Sequence, residues 1–552
     1  MDRLQFVLQY HHETKHHPYR YARSLGYLDW ANQPHPFRSY EGVERKELPF
    51  PPDAHPISYS SLFIPGAVPA KKLTPDSLAE FFRHALGLSA WKGVGGDRWA
   101  LRVNPSSGNL HPTEGYAILD PLFGLFEKST IVHYTPQTHA LETRGEFPPG
   151  FSLWPEQGRQ AQGFLVGLTS IHWREAWKYG ERAFRYCQHD TGHALAALRL
   201  SAALQGWGME ILPQWSTEDL TALMGVNRLG EINPEEREEP ECLALVWTTP
   251  TAAMDTAGLR EKIKASLDRI RWYGRANRLS EEHQPWPLID QVADATRQPS
   301  RETLVNATRE GNSTPIQSGV SAKRIILQRR SAQAFDPNKT LTLRQCIAIL
   351  EKAQHGPHAP WDSLFWPPQI HLVLFVHRVQ GLVPGMYALL RWEEDPDDFP
   401  LACHPHFLWE RPSCIDASLP LYLLEPGDFQ NSAAGISCGQ AIAGDSYFSL
   451  GMIARFTPAL QYHGPWFYHC LFWEAGLIGQ MLYLEAEHQG ARGTGIGCYF
   501  DDAMHHILGL KDAAWQSMYH FTIGYPLQDE RLRSIPPYER ETFDPSLFHP
   551  FS

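Results

Sequence analysis

Residues 190–206, DTGHALAALRLSAALQG, return at 474–490 as EAGLIGQMLYLEAEHQG. At a constant offset of 284, Asp190 meets Glu474, Gly192 meets Gly476, Leu198 meets Leu482, Leu200 meets Leu484, Ala202 meets Ala486, and Gln205-Gly206 meets Gln489-Gly490. Each copy reads as a helix rich in small residues and stopped by glycine. The register runs on without a gap, so that STEDLTALMG (216–225) falls on FDDAMHHILG (500–509), a short capped helix ending in Gly both times. Upstream, LTPDSLAEFFRHA (73–85) matches LTLRQCIAILEKA (341–353) at an offset of 268, each an amphipathic helix after a Leu-Thr entry. A chain that repeats itself in this way is expected to build two copies of one α+β domain, and such copies commonly pack as an internal dimer.

Length agrees, because 552 residues exceed what one ordinary core accommodates. The expected division is a first domain at 1–255, an arm at 256–318, and a second domain at 319–552. The arm opens with a charged helical stretch (LREKIKASLDRIRWYGRANRL) and continues into a polar segment (RQPSRETLVNATREGNSTPIQSG) with the composition of a linker. A net charge of −12 and no clustered Lys/Arg stripe argue against a nucleic-acid partner, since that binding rests on neutralising phosphates. The eight Cys are scattered without CxxC pairs or zinc spacing, which fits a reduced cytoplasmic interior and no disulfide framework. MDRLQFVLQYHHETKHH carries no apolar leader, and the chain has no run of about 18 apolar residues, so neither a signal peptide nor a membrane span is expected.

Three stretches carry chemistry. LQRRSAQAF (327–335) sets two guanidinium forks beside a hydroxyl, a suitable set for a terminal phosphate, although an isolated RRS is more often an exposed basic turn. RGTGIGCYFDD (492–502) places Gly493, Gly495 and Gly497 directly before the short helix, where glycine lets backbone approach a ligand and the helix N-terminus favours an anion. A tight turn with nothing bound reads equally well from the spacing alone. The first copy has Met209, Ile211 and Pro213 at those positions, so the second copy uses the segment for something the first does not. NPSSGNLHP (104–112) is the converse: the second copy has GPHAPWDSLFWPPQ before the matching strand and lacks the Ser-Ser-x-Asn element. Each copy therefore holds half of a site, and one composite site across the internal interface is expected.

RRSAQAF, PSSGN and the glycine segment together resemble the flavin-binding elements of the nitroreductase superfamily, whose homodimers build each FMN site from both subunits. The resemblance implies an antiparallel-rich sheet flanked by helices in each domain. It assigns Arg329, Arg330, Ser331 and Gln333 to the phosphate and ribityl end, Gly493 and Gly495 to the ring, and Pro105, Ser106, Ser107 and Asn109 to contacts from the first copy. Arg531 and Arg533, after the last strand, are carried over as basic phosphate ligands. YHHETKHH (10–17), RVNPSSGNLHPTEGY (102–116), VHYTPQTHALE (132–142) and WKYGERAFRYCQHDTGHA (177–194) resemble more narrowly the SagB/ThcOx-type dehydrogenases, which oxidise azolines in peptides. In that branch a Lys-Tyr pair is implicated in catalysis, and Lys178-Tyr179 stands in the matching block, with Lys178 the candidate proton acceptor. Pairing of Lys178 with Glu175 or Glu181 on an exposed helix is the plainer reading. The second copy has no Lys there, near Gln461-Tyr462, and the first has Thr14-Lys15 in place of the Arg and Ser elements, so one working site is expected.

His11, His12, His16 and His17 fall within the family-like segment and are not read as a metal site; His505-His506 is expected at the surface and Cys498 as packing. GVGGDR (93–98) lacks the Lys-Ser/Thr of a phosphate loop. The function expected is an FMN-dependent oxidoreductase acting on a small molecule or peptide. The alternatives are an NAD(P)H-dependent nitro- or quinone reductase and a non-catalytic binding scaffold.

Overall fold

A computed structural model describes residues 2–52, 56–154, 163–228, 230–248, 255–300, 319–392 and 398–542. Three pairs of helices repeat at the same offset of 284: His172–Tyr179 with Phe456–His463, Ala183–Leu204 with Phe467–His488, and Thr217–Met224 with Asp501–Leu508. Both long helices stop at a Gln followed by a left-handed glycine, Gly206 (φ 70°) and Gly490 (φ 72°). Of the two short helices, Thr217–Met224 is capped by a Ser216/Asp219 box, whereas Asp501–Leu508 starts without a side-chain cap; each ends at a left-handed glycine, Gly225 and Gly509.

Each half carries an antiparallel sheet, and six strands stand in the same spatial order in both. In the first half that order is Ala140–Glu146, Thr130–Thr135, Thr113–Leu119, Gly163–Ser170, Glu239–Trp247, Gly208–Ile211. In the second it is Leu421–Pro426, Gly385–Leu389, Ile370–Val376, Phe448–Arg455, Trp515–Gly524, Arg492–Ile496. The central strands are buried along their length except at Arg455 and are mostly apolar, since helices cover them. The architecture is α+β and tandem.

The stretch expected as an arm is built into the first half over its described part. Thr256–Lys264 buries Leu259 and Ile263, one turn apart; Arg271–Trp272 adds an edge strand to Gly145–Glu146; and Arg275–Ala276 pairs with Tyr40–Glu41. Pro287–Ala295 buries Ile289 and Val292. Periodic apolar positions within a charged stretch explain why it packs. Residues 301–318, the polar part, lie outside the described residues.

The long helices run against each other through the middle of the molecule. Gly192 and Gly476 face one another so closely that a Cβ on Gly192 would stand 2.3 Å from the Trp473 carbonyl oxygen and 2.9 Å from Gly476 Cα; one on Gly476 would stand 2.3 Å from the His189 carbonyl oxygen. Trp473 Nε1 donates to Gln188 Oε1 across the same seam at 2.7 Å. Both ends of the chain cross over. From the N-terminal side, Lys15 pairs with Asp502 at 2.7 Å. From the C-terminal side, Arg533–Ile535 adds a strand to Leu88–Val94, the Tyr538 hydroxyl accepts from the Leu88 amide, and Glu541 takes a two-pronged contact from Arg83 at 2.9 and 2.8 Å. No helix among the described residues is long and apolar enough to cross a membrane.

Gly476→Val is expected to destabilise the chain by at least about 2 kcal/mol, because backbone rather than a flexible side chain meets the added atoms. Gly435, a helical glycine with nothing near its Cβ position, is the control: Gly435→Ala should be neutral or stabilising by up to about 1 kcal/mol. Urea denaturation of both variants tests this, and equal midpoints would contradict it.

Candidate functional site

Between the halves lies a cavity of about 460 Å³, within the range of ligand sites. Pro105, Ser106, Ser107, Asn109 and Tyr179 line it from the first half, and Arg329, Arg330, Ser331, Gln333 and Gly495 from the second. The segments expected to meet from opposite halves do meet.

NPSSGNLHP is shaped by three left-handed residues, Gly108 (φ 59°), Asn109 (φ 61°) and His111 (φ 55°). The Ser106 hydroxyl accepts from the His111 amide at 2.7 Å, and the Asn109 side chain donates to the Ala100 carbonyl at 2.9 Å, so the loop holds its own shape. Gly108 lets it approach the next helix: a Cβ there would stand 2.6 Å from the Tyr179 hydroxyl and 3.2 Å from Lys178 Nζ. Lys178 is half-buried and does not line the cavity itself. Of its two expected partners, Glu181 pairs with Arg23, and Glu175 is fully buried beneath the loop.

Beneath the loop sits an acid that sequence reasoning passed over. Asp190 receives the Ser107 amide on both oxygens, at 3.0 and 3.1 Å, and the Ser107 hydroxyl at 3.1 Å. Burial pushes its carboxyl up to about 7 in spite of those donors. Glu175 is also raised, by burial first and by Asp190 next. The counterpart of Asp190 in the repeat has different partners. Glu474 likewise receives a backbone amide on both oxygens, from Gln369, but it also holds Arg391 at 2.5 Å; burial raises its carboxyl too, against the Arg391 guanidinium.

The cavity also carries a cluster of cations. Arg330 is anchored by donating to the carbonyls of Leu327 and Arg329 (2.7 Å each) and of Ser89 (3.1 Å), and Arg329 by donating to those of Arg102 and Val103. Lys92 donates to Ser534 Oγ at 2.7 Å, and Arg492 pairs with Glu487 at 2.8 Å. Burial and then the mutual repulsion of these cations hold Arg330 down to about 9 and Lys92 down to about 8. Charges crowded together out of water are stabilised by an anion placed among them, and phosphate suits fixed guanidinium forks. Lys92 and Arg492 are additions to the expected set. Arg492 opens the quoted RGTGIG segment, but nothing in the sequence singles out Lys92.

Several of the expected residues sit differently from the expectation. Arg531 is exposed and held by Asp529 at 2.7 Å, and it does not itself line the cavity. Arg533 is exposed on its strand; side chains alternate there, so Leu532 and Ser534 face the cavity and Arg533 faces away. The glycine segment is an edge strand, Arg492–Ile496, rather than a turn, and its spacing answers to aromatic rings: a Cβ on Gly493 would meet Phe521 at 2.5 Å, on Gly495 the Tyr519 hydroxyl at 1.9 Å, and on Gly497 Tyr186 at 2.6 Å. Gly493 does not line the cavity, but its carbonyl accepts from the Ala332 amide and so ties the strand to the RRS segment. The helix that follows begins with its own buried acid, Asp501, gripped by Arg182 (3.1 Å) and Arg185 (2.6 Å). His505, expected at the surface, is buried and accepts from the Ser517 amide, while His506 is exposed.

No family model and no curated protein matches this sequence. Among solved structures, a protein provisionally assigned as a nitroreductase from Anabaena variabilis superposes over 95% of this chain and 99% of its own, with a TM-score of 0.67 and 21% identity. One from Ralstonia eutropha covers 39% of this chain and 100% of its own (TM-score 0.27, 16% identity), and an E. coli microcin synthetase complex covers 42% and 79% (0.28, 18%). Only the first superposition is close enough to carry weight. It shows that the fold is that of nitroreductases, repeated within one chain.

Folding takes up a proton at Asp190, whose folded value (about 7) exceeds the ordinary one (~3.9), so stability should fall as pH rises between those values and level off above. Asp190→Asn keeps an oxygen for the Ser107 amide and should flatten that decline by on the order of 1 kcal/mol per pH unit. Urea unfolding of wild type and variant at pH 5 and 7 measures the difference, and parallel slopes would refute the assignment.

Proposed function

We propose that this chain, with its two nitroreductase-fold halves, binds one FMN between them and works as a flavin-dependent oxidoreductase. The observation that carries the reading is the lining of the cavity: Arg329, Arg330 and Arg492 of the second half and Lys92 of the first form a cationic cluster, and a self-braced loop of the first half lies over a buried acid. The residues fit the group. Arg330, Lys92 and Arg492 would hold the phosphate, and Arg329, Ser331 and Gln333 the chain behind it. Gly495, Pro105, Ser106, Ser107 and Asn109 would border the ring. When bound, FMN supplies two-electron transfer, which the side chains present do not provide.

The chain's own groups would handle the proton. Tyr179 lines the cavity and its hydroxyl, together with Lys178 Nζ, crowds the Gly108 position, so Tyr179 could relay a substrate proton to Lys178 as base. At the offset of 284 their counterparts are Tyr462, which is exposed, and His463. Only the first half therefore keeps the pair. That asymmetry favours a single working site and a dehydrogenase of the azoline-oxidising kind, on a small-molecule or peptide substrate, over a simple reductase.

Purified protein should retain about one FMN per chain. Each of Arg330→Ala and Lys92→Ala should weaken FMN binding by about 10- to 100-fold, the worth of a lost charged hydrogen bond, and leave riboflavin binding unchanged because riboflavin lacks the phosphate. Fluorescence titration with both ligands tests this, and equal losses for the two would reject the cationic cluster as the phosphate site. Lys178→Ala should keep the flavin and lose turnover; full activity would remove its role as base. Rapid flavin reduction by NADH or NADPH would point instead to a nitro- or quinone reductase.

A further inference from the structure

Cys498 lines the cavity immediately after Gly497, and its Sγ lies 2.7 Å from Sγ of Cys438. The two thiols come from separate loops that are fastened to each other. Gln440 Nε2 donates to the Cys498 carbonyl at 3.1 Å and to the Ser437 carbonyl at 2.8 Å, and the Phe500 amide donates to the Ile436 carbonyl at 2.7 Å. Cys438 is held in left-handed backbone (φ 55°), followed by Gly439 (φ 75°), a conformation a side chain adopts only when its surroundings impose it. Both thiols are half-buried, whereas Cys187, Cys242, Cys346, Cys403 and Cys470 are buried. A disulfide requires about 2.05 Å between sulfurs, so the pair needs a closure of well under 1 Å. The Cys498 thiol is lowered below its ordinary value, first by its hydrogen bond with Cys438 and then, against burial, by the Arg182 guanidinium. That favours the nucleophilic thiolate.

We propose that Cys438 and Cys498 are a redox couple, a dithiol that a small-molecule disulfide of the glutathione class converts into a disulfide in the cavity wall. The Cys498 thiolate attacks the small disulfide, forms a mixed disulfide and releases one glutathione. Cys438 loses its proton and attacks Cys498 Sγ; the S–S bond between the two cysteines forms, and the second glutathione leaves. The protein gives up two electrons and two protons, all carried by the two glutathione molecules. Because Cys498 lines the cavity, the bond ties the thiol redox state of the surroundings to the wall of the site. The proposal rests on the two loops and not on the flavin reading.

The test uses the full chain, reduced, freed of flavin and incubated in glutathione buffers of increasing oxidised fraction. Samples are quenched in acid, alkylated and mapped by mass spectrometry without reductant. The expected product is one cross-linked peptide pair holding Cys438 and Cys498, formed reversibly, while the exposed Cys414 takes up glutathione as a mixed disulfide. In Cys438→Ser, Cys498 should stop at the mixed disulfide. A wild-type chain in which Cys498 keeps glutathione, or in which both thiols remain alkylatable at the oxidised end, would overturn the proposal. The wild-type result does not depend on how the variant folds. Since flavin-free protein is used, failure of FMN to bind would leave it standing.

Discussion

Everything in this molecule hangs on the contact of two helix backbones at Gly192 and Gly476. With no side chain between them, Ala183–Leu204 and Phe467–His488 approach closely enough for carbonyls to meet the facing Cα atoms. The apolar faces around that point pack to the density of a protein interior. Each helix carries its own sheet, so the contact sets how the halves face each other and therefore whether the RRS segment of one reaches the PSSGN loop of the other. The crossed termini then lock the arrangement: the strand Arg533–Ile535 adds to a first-half hairpin and also brings Ser534 to Lys92.

The cavity combines a cationic cluster and a buried acid from pieces that are individually ordinary. Among the described residues Arg330 and Arg329 are anchored by backbone carbonyls and not by carboxylates, which holds them rigid without neutralising them. One buried carboxylate, Glu487, holds Arg492 and accepts the Arg330 amide. Asp190 has amide and hydroxyl donors but, among the described residues, no guanidinium, unlike Glu474 in the other half; burial raises both carboxyls. The duplication thus diverged by changing partners: the same helix position is a closed ion pair in one half and an ionisable group facing a ligand-sized space in the other.

Much of this was legible in advance. The offset of 284 holds helix by helix, and the PSSGN and RRS segments line one cavity, because helix ends and loop chemistry are written locally. The misreadings have a common cause. Gly493, Gly495 and Gly497 read in the sequence as a close approach to a ligand or a tight turn, whereas on their strand they admit the rings of Phe521, Tyr519 and Tyr186 from other parts of the chain. Arg533 was taken as a ligand, but strand alternation turns it outward and Ser534 inward. The 256–300 stretch was read as an arm from its charge, although its few apolar residues, Leu259, Ile263, Ile289 and Val292, attach it to the first half.

The sequence alone determined the duplication, the helices that carry it, and which half owns which segment of the site, because periodicity, glycine stops and loop composition act over a few neighbouring residues. Only the tertiary structure decided that Lys92 joins the cations, that Asp190 lies under Ser107 without a counter-charge, and that Cys438 meets Cys498. Those are encounters between distant segments, and their energetics come from burial and from the partners that folding supplies.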